Sequence, residues 1–316
     1  MDPLPPLTPM LLAMTAMATL TTATTATPPV VPLDMAPDAF DDQYRGCGRA
    51  MTAALPALNR SELQRSGHFA EGWALAAAEW RVRTSPGSPR SPLSPAQATA
   101  LLAYTAPLPL HRTSNAAVRA AGRSRREYRD EFHFKALHFL LTDALAALRA
   151  AGGPRCRRAF RGVRGVRFEA RPGRTVRFGH FASASLRNES ARSFGTAAAF
   201  QVDTCRGAAI REFSFFPHED EVLIPPFETF EVTGVTRGER GTRIRLRSAG
   251  THSNYNCEWL RGDGTEGTGA PPGHRGPGSG HRDPLSHQGH CGHQGHRGHE
   301  EVTAVATWAP LPASPH

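Results

Sequence analysis

The chain changes its hydrophobic period once, at Ala151-Gly152-Gly153-Pro154, and no other feature limits the fold as much. Before that point, from residue 48 to about 151, apolar residues recur at helical spacing, as in Trp73, Ala76, Ala77 and Trp80. Ser94-Pro95-Ala96-Gln97 is a capping box with proline at the first helical position. It opens a helix that carries Leu101, Leu102 and Tyr104. A longer helix is expected from Ser124, with Tyr128, Phe132, Ala136, Phe139, Leu140 and Ala144 as its apolar face. The Gly-Gly-Pro run ends it. Beyond Pro154 the pattern becomes short runs among glycines and prolines: Val163, Val166 and Phe168, then Val176, Phe178 and Phe181. Further strands are expected over 198–204, 208–216, 222–224, 227–235 and 242–247. Helices first and strands second predict an α+β fold and exclude a Rossmann-type alternation.

The 316 residues divide into four stretches. Residues 1–27 carry one charge, Asp2, and an apolar run from Met10 to Leu20, so they read as a secretory leader without its basic start. Residues 28–151 form the helical part and 152–262 the β-rich part. Residues 263–316 are rich in Gly, Pro and His, with His287, His290, His293, His296 and His299 spaced by three. Such composition buries no core and reads as disordered. Its neutral histidines, with Cys291, suit zinc or copper; a low-complexity tail without function is the simpler alternative. No stretch is long and apolar enough to span a bilayer. The run from Thr303 to Pro312 is too short and polar for a glycolipid-anchor signal. The expectation is therefore a released protein, secreted or held in secretory granules.

Five cysteines, Cys47, Cys156, Cys205, Cys257 and Cys291, contain no CxxC pair, which argues against a zinc ribbon. Four spread-out cysteines behind a leader suggest two disulfides, with Cys291 left over. Asn59-Arg60-Ser61 and Asn188-Glu189-Ser190 are glycosylation sequons. The net charge of +9 rests almost wholly on arginine, with Lys135 the single lysine. Residues 111–192 hold 18 arginines against six acids. No nucleic-acid motif accompanies them, and none is expected as a partner. A biased coding sequence and attraction to a phosphate-bearing small ligand are the remaining readings.

Three short pieces of the β-rich part carry chemistry. Phe160-Arg161-Gly162 starts a strand; Gly179-His180-Phe181-Ala182-Ser183-Ala184-Ser185 ends one in Ser-x-Ser; and Glu219-Asp220-Glu221 follows Ser214-Phe215-Phe216-Pro217 and precedes a Pro225-Pro226 stop. Alone, an Arg-Gly is a turn, a Ser-x-Ser is commonplace, and two glutamates two apart suit an acidic edge strand. If residues 219–221 are extended, Glu219 and Glu221 share a face and Asp220 points away as a spacer.

In this order the three pieces resemble the R-S-E signature of the vertebrate arginine-specific mono-ADP-ribosyltransferases, with avian and mammalian secreted and ecto-enzymes as the nearest likeness. The resemblance runs over about residues 34–262. It includes Tyr44-Arg45-Gly46-Cys47, the stretches 132–139 and 213–230, and Ser253-Asn254-Tyr255-Asn256-Cys257-Glu258-Trp259-Leu260. It implies a β-sandwich-like catalytic core of two packed mixed sheets behind the helical part.

The resemblance also implies transfer of ADP-ribose from NAD+, and on the family's pattern NADP+, to protein arginine, with no permanently bound cofactor. Glu221 would be the catalytic glutamate, Ser183 would orient it, and Arg161 would hold the dinucleotide. Glu219 would receive the acceptor guanidinium. Tyr104 and Ser214 match positions that contact NAD, and Gly162 and Gly179 would let backbone approach its nicotinamide end closely; a core tyrosine and a strand serine remain the alternatives for Tyr104 and Ser214. Ser185 would close the strand end. Lys135 and His138 would be packing and surface residues, and His180 has no assigned part. The implied disulfides are Cys47–Cys257 and Cys156–Cys205. A monomer that also modifies its own arginines completes the expectation. NAD glycohydrolysis, with water in place of the guanidine, is the competing enzymatic reading, and a non-catalytic cationic or metal-binding secreted protein the non-enzymatic one.

Overall fold

The computed structural model describes residues 28–84, 91–153, 155–193, 195–238 and 241–261. The leader, the histidine repeat, Cys291 and the Thr303–Pro312 run lie outside the described residues.

A short strand, β1 (Val30–Pro32), leads into six helices: α1 (Gly48–Arg65), α2 (Gly67–Arg83), α3 (Pro95–Thr105), α4 (Leu110–Ala120), α5 (Arg125–Asp130) and α6 (Lys135–Gly152). At the start of α3 the Ser94 hydroxyl accepts from Gln97 N at 3.3 Å, and the Gln97 side chain accepts from Ser94 N at 2.7 Å. This reciprocal cap satisfies two orphan donors and starts a helix buried from Gln97 to Thr105.

The single long helix expected from Ser124 is broken in two between Asp130 and Lys135. Phe132 and Phe134 fill the core in the break. The Glu62 carboxylate, reaching over from α1, accepts from Lys135 N at 2.9 Å and Ala136 N at 2.8 Å and so caps α6. A tertiary cap outweighs the continuous periodicity. Lys135 is buried beside Glu62 at 3.9 Å, with its ammonium over the rings of Tyr128, Phe132 and Trp259. His138 is buried as well, its Nδ1 2.8 Å from the Tyr44 hydroxyl. Both pack the interior, and neither is a surface residue.

The β-rich part follows as β2 (Arg157–Val163), β3 (Arg167–Glu169), β4 (Thr175–Val176), β5 (Ala182–Ser185), a short helix α7 (Asn188–Ser193), β6 (Ala198–Thr204), β7 (Ala208–Ala209), β8 (Glu221–Ile224), β9 (Glu228–Gly238) and β10 (Gly241–Thr251). The strand expected over 208–216 stops after Ala209, because the chain coils into a 3-10 turn at Arg211–Phe213. The sheet order is β4-β9-β10-β6-β2-β5-β8-β7, with β10–β6 parallel and the other pairs antiparallel; β1 and β3 form a separate parallel pair. One matched pair, Phe160 with Ser185, joins β2 to β5. The long sheet thus has two wings hinged at a narrow seam. Side chains from both wings, among them Ala159, Phe200 and Val232 from one and Ala182, Val222 and Ile224 from the other, meet in one apolar cluster. This is the mixed α+β core expected from the order of helices and strands. A second cluster lies among the helices and reaches Phe181, Ile210, Phe213 and Leu223, so α3 and α6 pack against the shorter wing.

The two ends of the described chain are tied together. Disulfides join Cys47 to Cys257 and Cys156 to Cys205, the pairs that the resemblance implies. Asp41 is fully buried and accepts from Arg177 Nη1 at 2.6 Å, Asn254 N at 2.8 Å and Tyr255 N at 3.1 Å. Arg177, also buried, donates to the carbonyls of Met35, Ala36 and His252. Among the described residues no helix is long and apolar enough to cross a membrane.

Candidate active site

The seam between the two wings positions the candidate residues. Arg161 lies near the end of β2, one residue past the Phe160–Ser185 pair. Ser185 in turn faces Glu221, the first residue of β8, and Ser183 faces Leu223. Cross-strand partners share a sheet face, so Ser183, Ser185 and Glu221 stand on one side. Arg161 Nη1 donates to Ser183 O at 2.6 Å and holds β2 against β5 at this point.

Glu219 and Glu221 do not sit on an extended segment. Glu219 ends a 3-10 turn, Pro217–Glu219, and Asp220 adopts a left-handed conformation with φ 48° and ψ 50°. Only at Glu221 does the strand begin. Strand alternation therefore does not align the two carboxylates, and Asp220 is no spacer: its side chain is bound by Arg187 and Arg211, each at 2.9 Å. The turn and the left-handed residue turn both glutamates toward one cavity. Pro217 at the first helical position favours the 3-10 turn over a strand.

That cavity has a volume of about 890 Å³ and is lined by Tyr104, Arg161, Ser183, Glu219 and Glu221 among others. Glu221 is buried. Burial pushes its carboxyl up to about 7, with Glu219 adding to the rise; hydrogen bonds from Ser183 and Ser214 and the charge of Arg161 pull it back. Glu219 is raised too, by burial alone. Arg161 is lowered by burial and further by Arg119, with Tyr104 and Glu221 opposing.

The other expected residues take more varied places. The Tyr104 hydroxyl donates to Phe181 O at 2.8 Å and receives Asn115 Nδ2 at 2.9 Å, so its ring lines the cavity while its polar tip is held in the wall. Ser214 is fully buried behind Glu221, 3.5 Å from Oε2, and accepts from Phe216 N at 3.0 Å. It acts on Glu221 and the turn and does not line the cavity. Gly179 has φ +64°, and a Cβ there would fall 2.4 Å from the Cβ of Ala36. Its role in the fold is close packing against the leading segment. Gly162 is buried at the seam and does not line the cavity. Ser185 donates to Glu219 O at 2.6 Å and accepts from Arg187 N at 3.0 Å, so it fastens the turn to β5.

Sequence reasoning placed α4 inside the helical stretch but named neither the element nor its cavity residues. His111, Arg112, Asn115 and Arg119 from this helix line the cavity. Asn115 also donates to Phe181 O at 3.0 Å, and its Oδ1 is buried without a partner. Its i, i+4 spacing to Arg119 was the available signal, masked by the proline-rich run before it. His180, given no part on sequence, lines the cavity with Nδ1 2.7 Å from Phe178 O. Burial, then Arg119 and Arg161, push its ring well below the usual histidine range. Val31, Leu33 and Ala36 of the leading segment complete the wall. Arginines on the wall, a buried carboxylate and a half-buried one suit an anionic ligand that develops positive charge at one centre.

Comparison with known proteins gives the family. The family model described as NAD:arginine ADP-ribosyltransferase matches residues 33–254. A rabbit protein named GPI-linked NAD(P)(+)--arginine ADP-ribosyltransferase 1 is 54% identical over 244 residues, covering 73% of this chain and 75% of its own length. A chicken protein named NAD(P)(+)--arginine ADP-ribosyltransferase 2 is 48% identical over 273 residues, covering 80% and 87%. The crystal structure of the eucaryotic mono-ADP-ribosyltransferase ART2.2 aligns with a TM-score of 0.63 and 34% identity, over 73% of this chain and 99% of that one. A mutant of the same enzyme was crystallised in complex with NAD. One expectation is overturned. The rabbit relative and its mouse and human counterparts are named GPI-linked, so the reading of a freely released, unanchored protein does not stand. It rested on tail hydropathy alone.

Proposed function

The chain belongs to the NAD:arginine ADP-ribosyltransferase family, and from that premise we propose how its cavity carries out the transfer. The protein is a mono-ADP-ribosyltransferase that moves ADP-ribose from NAD+ to the guanidinium of protein arginines and releases nicotinamide. The observation that supports the assignment of residues is the convergence of Arg161, Ser183, Glu219 and Glu221 from three strands and a turn on one cavity wall.

Arg161, with Arg119 beside it, binds the pyrophosphate through charge-assisted hydrogen bonds. Ser183 and Ser214 orient Glu221. Ionised, Glu221 accepts from the ribose 2′-hydroxyl and stabilises the oxocarbenium character at C1′ as the C1′–N bond breaks and its electron pair leaves with nicotinamide. Glu219 receives the acceptor guanidinium, whose fork matches a carboxylate. As a guanidinium nitrogen attacks C1′ from the face opposite nicotinamide, Glu219 takes its proton. The product is α-linked ADP-ribosyl-arginine. Relatives named for NAD(P) support NADP+ as a second donor. On the same reading the protein acts as a monomer and modifies some of its own exposed arginines, which mass spectrometry after incubation with NAD+ alone would reveal.

The decisive assay incubates the folded protein with labelled NAD+ and an arginine analogue. An α-linked adduct is expected, and its absence overturns the reading. Glu219→Gln is expected to lose transfer far more than NAD+ hydrolysis. Equal loss of both removes Glu219 from the acceptor step.

A further inference from the structure

The turn that carries Glu219 is fixed by its neighbour. Asp220 has φ 48° and ψ 50°, a conformation disfavoured for a residue with a Cβ and least so for Asp and Asn. Ala36, Tyr44 and Cys257 are the other described non-glycine residues with positive φ, and none of them stands between two carboxylates of the cavity. Such an outlier persists where the surroundings over-determine it, and here they do. Arg187 Nε and Arg211 Nη1 each lie 2.9 Å from a different oxygen of the Asp220 carboxylate. Arg187 also donates to His218 O, Leu186 N donates to Asp220 O at 3.0 Å, and Ser185 Oγ donates to Glu219 O at 2.6 Å.

We propose that Asp220, clamped between Arg187 and Arg211, is a positioning residue for the acceptor: it aims Glu219 at the incoming guanidinium and so sets the ratio of transfer to NAD+ hydrolysis. The inference rests on the reading of Glu219 given above. Without the clamp Asp220 can relax into the ordinary α or β region, which turns the preceding residue away from the cavity. Glu221 does not follow, because it is paired with Ser185 in the β5–β8 ladder. The two guanidiniums have a second effect. They occupy the carboxylate of Asp220, adjacent to Glu219 in the chain, which would otherwise compete for a substrate arginine.

The test compares five proteins: the parent, Asp220→Ala, Asp220→Asn, the double variant Arg187→Gln/Arg211→Gln, and Glu219→Gln. Nicotinamide release without acceptor measures hydrolysis. Adduct formation across a range of agmatine concentrations measures transfer, and thermal unfolding reports the fold. Asp220→Ala and the double variant are expected to lower the transfer-to-hydrolysis ratio on the order of tenfold to a hundredfold, mainly through a raised KM for agmatine. Asp220→Asn, which tolerates the left-handed conformation, is expected to recover part of it. Both Arg187 and Arg211 side chains are more than half exposed, so the double variant carries the comparison if Asp220→Ala fails to fold. An unchanged ratio, or a proportionate fall of both activities in folded protein, overturns the role of Asp220. If Glu219→Gln itself leaves the ratio unchanged, the reading of Glu219 fails and the proposal fails with it.

Discussion

Burial holds the Glu221 carboxyl up at about 7, and the role proposed for it requires the ionised form. The kcat/KM for NAD+ should therefore rise with pH through about 7, tracking ionisation of the free enzyme. A flat profile between about pH 5.5 and 8 would contradict this. The same shift has a sign in stability. The folded value lies above the ordinary glutamate value of 4.5, so the unfolded chain releases this proton first as pH rises. The contribution is fully present below about 4.5 and is lost as pH climbs through about 7. Glu221→Gln should thus gain stability relative to the parent across that window, reaching roughly 3 kcal/mol above it, while transfer falls by about 10² to 10³. Urea unfolding at pH 4.5 and pH 8.5 reads the first effect. A gain that is the same at both pH values would rule out an active-site carboxylate held uncharged by burial.

At the scale of elements, the cavity depends on how the leading segment lies against the β5 approach. Gly179 makes that contact possible, since a Cβ there would sit 2.4 Å from Ala36 and the backbone is at φ +64°. Gly179→Ala should destabilise by about 1–3 kcal/mol. It should also weaken NAD+ binding, because Ala36 and Leu33 form part of the wall. Denaturant unfolding with a parallel KM for NAD+ checks both. The α3 cap is a simpler case. Ser94→Ala should cost about 1 kcal/mol and leave the shape of the pH profile as it is. The broken α5–α6 pair shows where local periodicity loses to a tertiary partner: the carboxylate of Glu62 starts α6 at Lys135 although the apolar face runs on from Tyr128.

Across the whole molecule, the two disulfides differ in what they close. Cys47–Cys257 spans 210 residues and Cys156–Cys205 spans 49. In the chain-entropy account the first stabilises by about 5 kcal/mol and exceeds the second by about 1 kcal/mol. Paired Cys→Ala variants, compared by urea unfolding, should preserve that order; the reverse order would show that native contacts around the shorter loop dominate. The buried Arg177–Asp41 pair reinforces the tie between the ends, because Arg177 also donates to His252 O and Asp41 accepts from Asn254 N and Tyr255 N. Arg177→Met leaves Asp41 without its buried counter-charge and should cost about 3–5 kcal/mol. It also loosens the leading segment at Met35 and Ala36.

By itself the sequence determined the order of helices and strands, the α3 cap and the span of β6; the proposed site residues came from the likeness to a known family. The elements follow from short-range physics: side-chain period, and proline and glycine stops. It did not determine the path through Glu219, Asp220 and Glu221. Extended and left-handed conformations are both open to Asp, and here Arg187 and Arg211 hold different oxygens of the Asp220 carboxylate. Nor did it show α4 on the cavity wall, because a helix exposes its partners only once packed. Tertiary structure alone decided which polar groups became neighbours and how far burial raised Glu221, since desolvation and coupling depend on distances that no sequence spacing fixes.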